Sequence, residues 1–134
     1  MIPRYRAWDV LSEEMIDEIL MISFVRKEII GKLSNGFTSI PLKFEDERNG
    51  EDVVLMQSTG LFDKEGTEVF EGDILHHQIQ TEYTFIVKYD KDNARWYGEG
   101  LSRTYRIDIT KEFLQYYKII GNIYENPELL EDKE

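Results

Sequence analysis

Leu55-Met56-Gln57-Ser58-Thr59-Gly60-Leu61-Phe62-Asp63-Lys64-Glu65-Gly66-Thr67-Glu68-Val69-Phe70-Glu71-Gly72-Asp73-Ile74-Leu75 is the stretch around which the rest of the chain is read. It opens apolar, meets Gly60, turns at Asp63 to Gly66, meets Gly72 and resumes apolar at Ile74. Glycines at such points supply a positive φ or a close backbone approach, so strand breaks are expected at Gly60 and Gly72. Asp63-Lys64-Glu65-Gly66 has turn chemistry: an Asp able to bond the backbone two residues on, and a Gly at the fourth position. Glu71-Gly72-Asp73 ahead of Ile74-Leu75 reads as a tight turn leading into a strand. The whole stretch is expected to act as a clasp that passes the chain from one sheet to the next.

Upstream, Tyr5-Arg6-Ala7-Trp8-Asp9 reads as an edge strand. Residues 12–25 carry conflicting signals. Ser12-Glu13-Glu14 can start a turn or cap a helix, and Met15, Ile16, Ile19, Leu20 and Ile22 have approximate helical spacing. The run Ile19 to Val25 is almost unbroken and β-branched, which favours a strand there. Arg26-Lys27-Glu28 then turns into Ile29-Ile30-Gly31-Lys32-Leu33. Asn35-Gly36 is a strong hairpin signal. Pro41 restricts residues 37–44 to an edge or irregular segment. The acidic loop 45–52 is the expected site of mobility and insertion.

Downstream, residues 53–56, 74–80, 83–89 and 95–98 read as strands of an antiparallel meander, with a turn at Asp90 to Asn93. Phe85, Val87 and Tyr89 share one face of their strand, opposite Thr84, Ile86 and Lys88. Thr110 reads as the N-cap of a short helix ending near Gln115 or Tyr116. Residues 117–124 form a strand with a bulge at Gly121. Asn126-Pro127-Glu128 starts one further helical turn, with Asn126 as its cap and Leu129 and Leu130 pinning it. The acidic end, residues 131–134, is expected to fray.

The totals limit the possibilities. A length of 134 residues suits one domain. An apolar content of 41% argues against wholesale disorder, and an aromatic content of 13% favours strands. The absence of cysteine excludes disulfides, a thiolate nucleophile and a cysteine-type zinc site, and it suits a reducing cytoplasm. Net charge is −11, which disfavours non-specific binding to phosphates. The charge is uneven: residues 1–50 hold seven basic and nine acidic residues, and 51–134 hold nine and eighteen. Arg4, Arg6, Arg26, Lys27 and Lys32 therefore make the N-terminal third the better candidate for any nucleic-acid contact, with Arg4, Arg6 and Lys27 singled out. No apolar run approaches the roughly 20 residues that span a bilayer. The opening Met1-Ile2-Pro3-Arg4-Tyr5-Arg6 has no signal-peptide core. A soluble protein of the cytoplasm, without membrane contact, is expected.

Candidate chemistry is sparse. His76 and His77 are the two histidines, and neighbours on a strand face opposite ways, so they cannot share a metal. Asp90-Lys91-Asp92-Asn93 fails the calcium-loop pattern, because Ala94, Arg95 and Leu101 stand where an oxygen ligand, Gly and Glu are needed. Gly60, Gly66 and Gly72 match no phosphate-binding spacing. Ser58, Thr59 and Ser102 have no visible base. Asp63, Glu68, Glu71 and Asp73 can be read as a carboxylate cluster for acid–base or Mg²⁺ chemistry. The competing reading has Asp63 and Asp73 bonding the amides of their own turns, with Gln57 and Thr59 satisfying loop amides. Tyr5, Trp8, Trp96, Tyr97 and Tyr105 with Arg4, Arg6, Arg95, Arg103 and Arg106 can be read as a base-stacking surface, or as core aromatics with paired arginines. No catalytic residue, metal or cofactor is assigned.

Four motifs carry a family resemblance. Arg6-Ala7-Trp8-Asp9, Met56 to Gly66, Glu71-Gly72-Asp73-Ile74 and Ile120-Gly121-Asn122-Ile123-Tyr124-Glu125-Asn126-Pro127-Glu128-Leu129-Leu130 together resemble the YopX family of phage and prophage proteins. The order of the motifs matches and they nearly bracket the chain. Ser58 departs from the bulkier residue common at that place. The resemblance implies a small phage-encoded β domain acting inside a bacterium, and a strand rather than a helix near residues 15–25. It implies no activity. Its motif residues, taken as structural, are Trp8, Gln57, Thr59, Gly60, Leu61, Asp63, Gly66, Glu71, Gly72, Asp73, Gly121, Asn122, Tyr124, Asn126 and Pro127.

The expectation is thus a mainly β protein, a compact antiparallel barrel in the style of SH3-like barrels, with one or two short helices near the C-terminus. The expected role is a non-enzymatic accessory module that binds a host or phage protein, with self-association as a further possibility. The acidic half suits a basic partner surface, and an acidic DNA mimic is the sharper version. Nucleic-acid binding through the N-terminal cations is the alternative, and a carboxylate enzyme using Asp63, Glu71 and Asp73 the third.

Overall fold

The computed structural model describes residues 4–46, 50–80, 83–101 and 106–130. Expectations for Ser102, Arg103, Tyr105, the middle of the 45–52 loop and the acidic end lie outside these residues. The described elements are β strands that pair antiparallel throughout, one short helix and one 3-10 turn, as the β reading requires; one sheet curls into a half-barrel. The chain divides into two compact units, one of residues 1–57 and one of residues 58–134.

In the first unit, β1 (Tyr5–Asp9) lies between β2 (Glu14–Ile16) and the first half of β6 (Val53–Phe62). Tyr5–Asp9 is therefore an inner strand, not an edge. Ser12 and Glu13 lie in a turn, as one of the two readings has it, and residues 14–16 are strand, so no helix is capped there. Asp9 makes the turn that separates β1 from β2: its Oδ1 accepts from the Leu11 and Ser12 amides at 3.1 and 3.2 Å. A second sheet has β4 (Glu28–Gly31) between β3 (Ile19–Ser23) and β5 (Leu42–Lys43). Strand thus wins over helix for β3. It ends at Ser23 rather than Val25, because the Ser23 hydroxyl accepts the Arg26 amide at 3.1 Å and starts the turn. The stretch after Pro41 is an edge strand, as its proline dictates. Ala7, Ile16, Ile29, Phe44 and Val53 form the core of this unit. Full burial of each side chain of Val or Ile size stabilises by about 1.5–3 kcal/mol. Gly31 lets this core close, since a Cβ there would stand 2.5 Å from Ile16 Cγ2.

In the second unit, the second half of β6 pairs with β7 (Glu68–Phe70). A five-stranded sheet follows in the order β11 (Arg106–Asp108), β10 (Arg95–Gly100), β9 (Thr84–Asp90), β8 (Asp73–His77) and β12 (Tyr117–Asn122). The helix α1 (Lys111–Leu114) is capped by Thr110, whose hydroxyl accepts the Phe113 amide at 3.1 Å. Val69, Leu75, Phe85, Val87, Ile109, Leu114 and Tyr117 make the core. The Phe85–Val87 face is buried as the alternation requires, but Tyr89 emerges at 40% exposure and packs on Trp96 at a ring distance of 4.9 Å.

Several expected boundaries shift for local reasons. Strand β6 does not break at Gly60. It continues to Phe62 through a register shift between Ser58 and Phe62, with Gly60 at φ +78°. Hydroxyls replace the missing ladder there: Ser58 Oγ accepts the Gly60 amide at 3.0 Å, and Thr59 Oγ1 accepts the Leu61 amide at 3.0 Å. Strand β8 stops at His77 instead of Gln80, because His77 Nδ1 accepts the amides of Ile79 and Gln80 at 3.0 and 2.8 Å and bends the chain. The bulge near Gly121 is present, but β12 ends at Asn122 rather than Tyr124. Asn122 Oδ1 takes the amides of Tyr124 and Glu125 at 3.0 and 2.8 Å. Residues 127–130 form a 3-10 turn, and the Asn126 side chain does not cap it. Asn126 Oδ1 reaches back to the Asn122 amide at 3.2 Å, while the Asn126 amide donates to the Asn122 carbonyl at 2.9 Å.

Candidate functional site

Among the motif residues, Asp63, Gly66, Gly72 and Asp73 hold turns. Asp63 is buried at 7% exposure and accepts three backbone amides: Glu65 and Thr67 on Oδ1 and Ile119 on Oδ2, each at 2.9 Å. Its turn closes with the Gly66 amide on the Asp63 carbonyl at 3.0 Å, and Gly66 has φ +83°. Asp73, buried at 1% exposure, accepts the Phe70 amide at 2.8 Å across Glu71-Gly72. Gly72 takes φ +89° there and donates to the Val87 carbonyl at 2.9 Å. Both aspartates thus serve as turn acceptors, the reading that competes with a carboxylate site built on them. Glu68 bonds the Ser58 hydroxyl at 2.5 Å, and Thr59 donates to the Val69 carbonyl at 2.8 Å. Gln57 is exposed; Trp8, Leu61 and Tyr124 are half-buried; Pro127 is exposed at the head of its turn.

The singled-out cations have different environments. Arg6 is buried at 8% exposure, Lys27 pairs with Glu45 at 2.9 Å, and Arg4 is exposed. Among the proposed stacking residues, Tyr5 packs edge-on against Phe24, Trp96 packs on the core of the second unit, and Arg106 sits 4.4 Å over the Tyr97 ring. Arg95 meets Asp108 at 3.5 Å. His76 Nδ1 lies 3.0 Å from the Thr84 hydroxyl. Among the described residues, no group of three His, Asp or Glu is placed to hold a metal ion, and no helix is long and apolar enough to cross a membrane.

What sequence reasoning missed is an aromatic cleft of about 700 Å³ in the second unit, between β8, β9, β11, α1 and the start of β12. Phe85 and Tyr117 form its floor, at 1% and 6% exposure. Their ring centroids lie 5.8 Å apart, edge to face. Phe113 stacks on Tyr117 at 4.1 Å. His77 meets Tyr117 edge-on at 5.0 Å and lies parallel to Tyr116 at 6.0 Å. Such ring pairs add about 0.5–1.5 kcal/mol each beyond burial and fix one another's orientation. Tyr116 stands at the rim with 54% exposure. The backbone beneath it is held: its carbonyl accepts the Gln78 amide at 3.0 Å, and its amide donates to Phe113 at 3.3 Å. Exposed Asp108, Thr110 and Glu112 complete the rim. Because Nδ1 of His77 accepts two amides, the neutral ring carries its proton on Nε2.

The cleft follows from local sequence rules. The Thr110 cap starts α1, whose last turn tightens at Gln115; Phe113 then lines the cleft from the helix, Tyr116 from just beyond it and Tyr117 from the first position of β12. Register pairs Tyr117 with His77, and the His77 amide donates to the Tyr83 carbonyl at 3.0 Å. Gly98 behind the floor keeps Phe85 in place: a Cβ there would stand 3.0 Å from Phe85 Cβ. The one sequence signal for the site was Phe113-Leu114-Gln115-Tyr116-Tyr117 directly after a cap. A second cavity of about 530 Å³ lies beside the clasp turn, lined by Gly60, Asp63, Lys64, Lys111 and Leu114 among others, and gathers fewer rings.

Comparison with known proteins agrees with the motif resemblance. The family model described as YopX protein matches residues 4–131. No curated protein matches the chain. Among solved structures, protein EF1440 from Enterococcus faecalis is 33% identical with a TM-score of 0.70, covering 98% of this chain and 99% of that one. Protein yopX from Bacillus subtilis is 19% identical with a TM-score of 0.58, covering 97% of each chain, and shares the fold. The chain belongs to the YopX family.

Proposed function

We propose that this chain is a non-enzymatic binding module, encoded by a phage or prophage and acting in the bacterial cytoplasm, and that it takes a protein partner in the aromatic cleft of its second unit. The observation that carries the reading is the convergence of His77, Tyr83, Phe85, Phe113, Tyr116 and Tyr117 on one solvent-open cleft. Rings ordered by mutual packing and anchored backbone lose little entropy on binding, and aromatic residues dominate recognition surfaces. The test is capture of partners by tagged protein from a bacterial lysate, with nuclease, comparing the native chain with Tyr116→Ser. A partner held by the native chain and lost by the variant supports the cleft. A partner held equally by both removes it, and recovery only without nuclease moves the reading to nucleic acid and the N-terminal cations.

A second reading, self-association through the first unit, has its own observation. β3 is an edge strand whose Leu20 and Met21 are 50% and 53% exposed, and Phe24 and Val25 follow at 60% and 96%. Open apolar edges pair with further strands unless they are covered. The near-balance of charge in residues 1–50 opposes such pairing less than the acidic remainder does. Sedimentation velocity decides it: Met21→Lys lowers the mass of an oligomer if this edge holds one, and a monomer at all concentrations ends the reading.

A further inference from the structure

We propose that the occupant of the aromatic cleft is an arginine side chain presented by an extended segment of the partner protein. This rests on the cleft being the binding site, and it names the chemistry the cleft selects. The floor and walls are aromatic, while the rim carries exposed carboxylates from two elements, Asp108 on β11 and Glu112 on α1. Glu112 lines the cleft from α1 and Tyr116 from just beyond its C-cap, so a carboxylate and the exposed ring share the rim. A guanidinium is planar, stacks on aromatic faces and donates in a fork to a carboxylate; an ammonium satisfies only the charge. Asp108 already meets one guanidinium of this chain, since Arg95 Nη1 lies 3.5 Å from its Oδ2. That exposed contact is long and leaves Glu112 as the carboxylate nearer the helical side of the cleft. The surplus of acids over bases in residues 51–134, eighteen against nine, favours a basic occupant at longer range.

The test uses the full chain and four unstructured octapeptides that differ only at a central Arg, Lys, citrulline or Leu. Binding is followed by chemical-shift changes of the ¹⁵N-labelled protein at millimolar peptide. The Arg peptide is expected to shift Glu112, Phe113, Tyr116 and His77, and to bind roughly 5–20-fold more tightly than its citrulline twin, the size expected of an exposed cation–π contact plus a rim ion pair. Glu112→Gln reduces that preference several-fold, and so does raising the salt from 0.05 to 0.5 M, on the order of a threefold shorter Debye length. Lys binds between Arg and citrulline. Equal shifts in the cleft with all four peptides overturn the arginine inference and leave the cleft as a site. No shift in the cleft with any of them overturns both.

Discussion

Replacing Asp63 tests the clasp on which the second unit is built. Its carboxylate accepts three amides at 2.9 Å, two inside its own turn and one from Ile119, 56 residues away. The Glu65 and Thr67 amides belong to exposed residues, so water can replace their acceptor, and each contributes about 0.5–1 kcal/mol. The Ile119 amide is half-buried; losing a charged acceptor there costs about 1.5–3 kcal/mol. Asp63→Ala is therefore expected to destabilise by about 3 kcal/mol, or about 10 °C in Tm for a chain of this size. Asp63→Asn keeps an oxygen for the turn but sets an NH₂ against the Ile119 amide, and should cost about 2 kcal/mol. The assay is urea unfolding in a Trp8→Phe background, where Trp96 reports on the second unit. Glu65→Ala, an exposed neighbour in the same turn, is the control and stays within about 0.5 kcal/mol. An Asp63→Ala variant within 1 kcal/mol of its parent refutes the role assigned to the carboxylate.

Gly121→Ala places a Cβ 2.7 Å from Asn126 Cγ, so it should destabilise by about 1–3 kcal/mol, and Asn126→Ala should relieve part of that in a double-mutant cycle by urea unfolding. Thr110→Ala removes the cap of α1 and should cost about 1 kcal/mol, with loss of the Tyr116 shift dispersion seen by NMR. The Asn93 side-chain amide holds the Asp90 carboxyl below its usual value of 3.8 against an opposing desolvation, helped by the Asp92 and Asn93 amides and by Arg106. A lowered carboxyl contributes stability above the unfolded-state pKa, so this contribution begins to decline near pH 3.8 and is lost as pH falls through the lower folded value. Asn93→Ala should raise the Asp90 pKa toward the unperturbed value in an NMR titration; an unchanged midpoint removes the assigned cause.

The features legible in the sequence were those decided within a few residues. Asp63-Lys64-Glu65-Gly66 announces its turn because the acceptor and the amides it serves lie within four residues, and Thr110 announces its helix the same way. The Ile119 bond could not be read, because it depends on where β12 arrives. Gly60 was recognisable as a special position, but the hydroxyls that keep β6 running through it as a bulge are a joint effect of two side chains, Ser58 and Thr59. Residues 14–16 stayed ambiguous because Met15, Ile16 and Ile19 fit two periods at once; the pairing of Ile16 with Ala7 gives the strand that the family resemblance implied. Strand β11 has a single apolar residue, Ile107, and owes its existence to β10 beside it. The cleft was the least legible feature. Its rings come from residues 77, 83, 85, 113, 116 and 117, and only the register of β8 against β12 brings the first and last of these together.

Hydrogen exchange of the full chain, alone and with its captured partner, tests the central claim most directly. Occupation of the cleft predicts slowed exchange in residues 77–80, 83–85 and 106–117, with the remaining segments unchanged. Protection confined to residues 19–25 of the first unit, or none in the cleft segments, contradicts it.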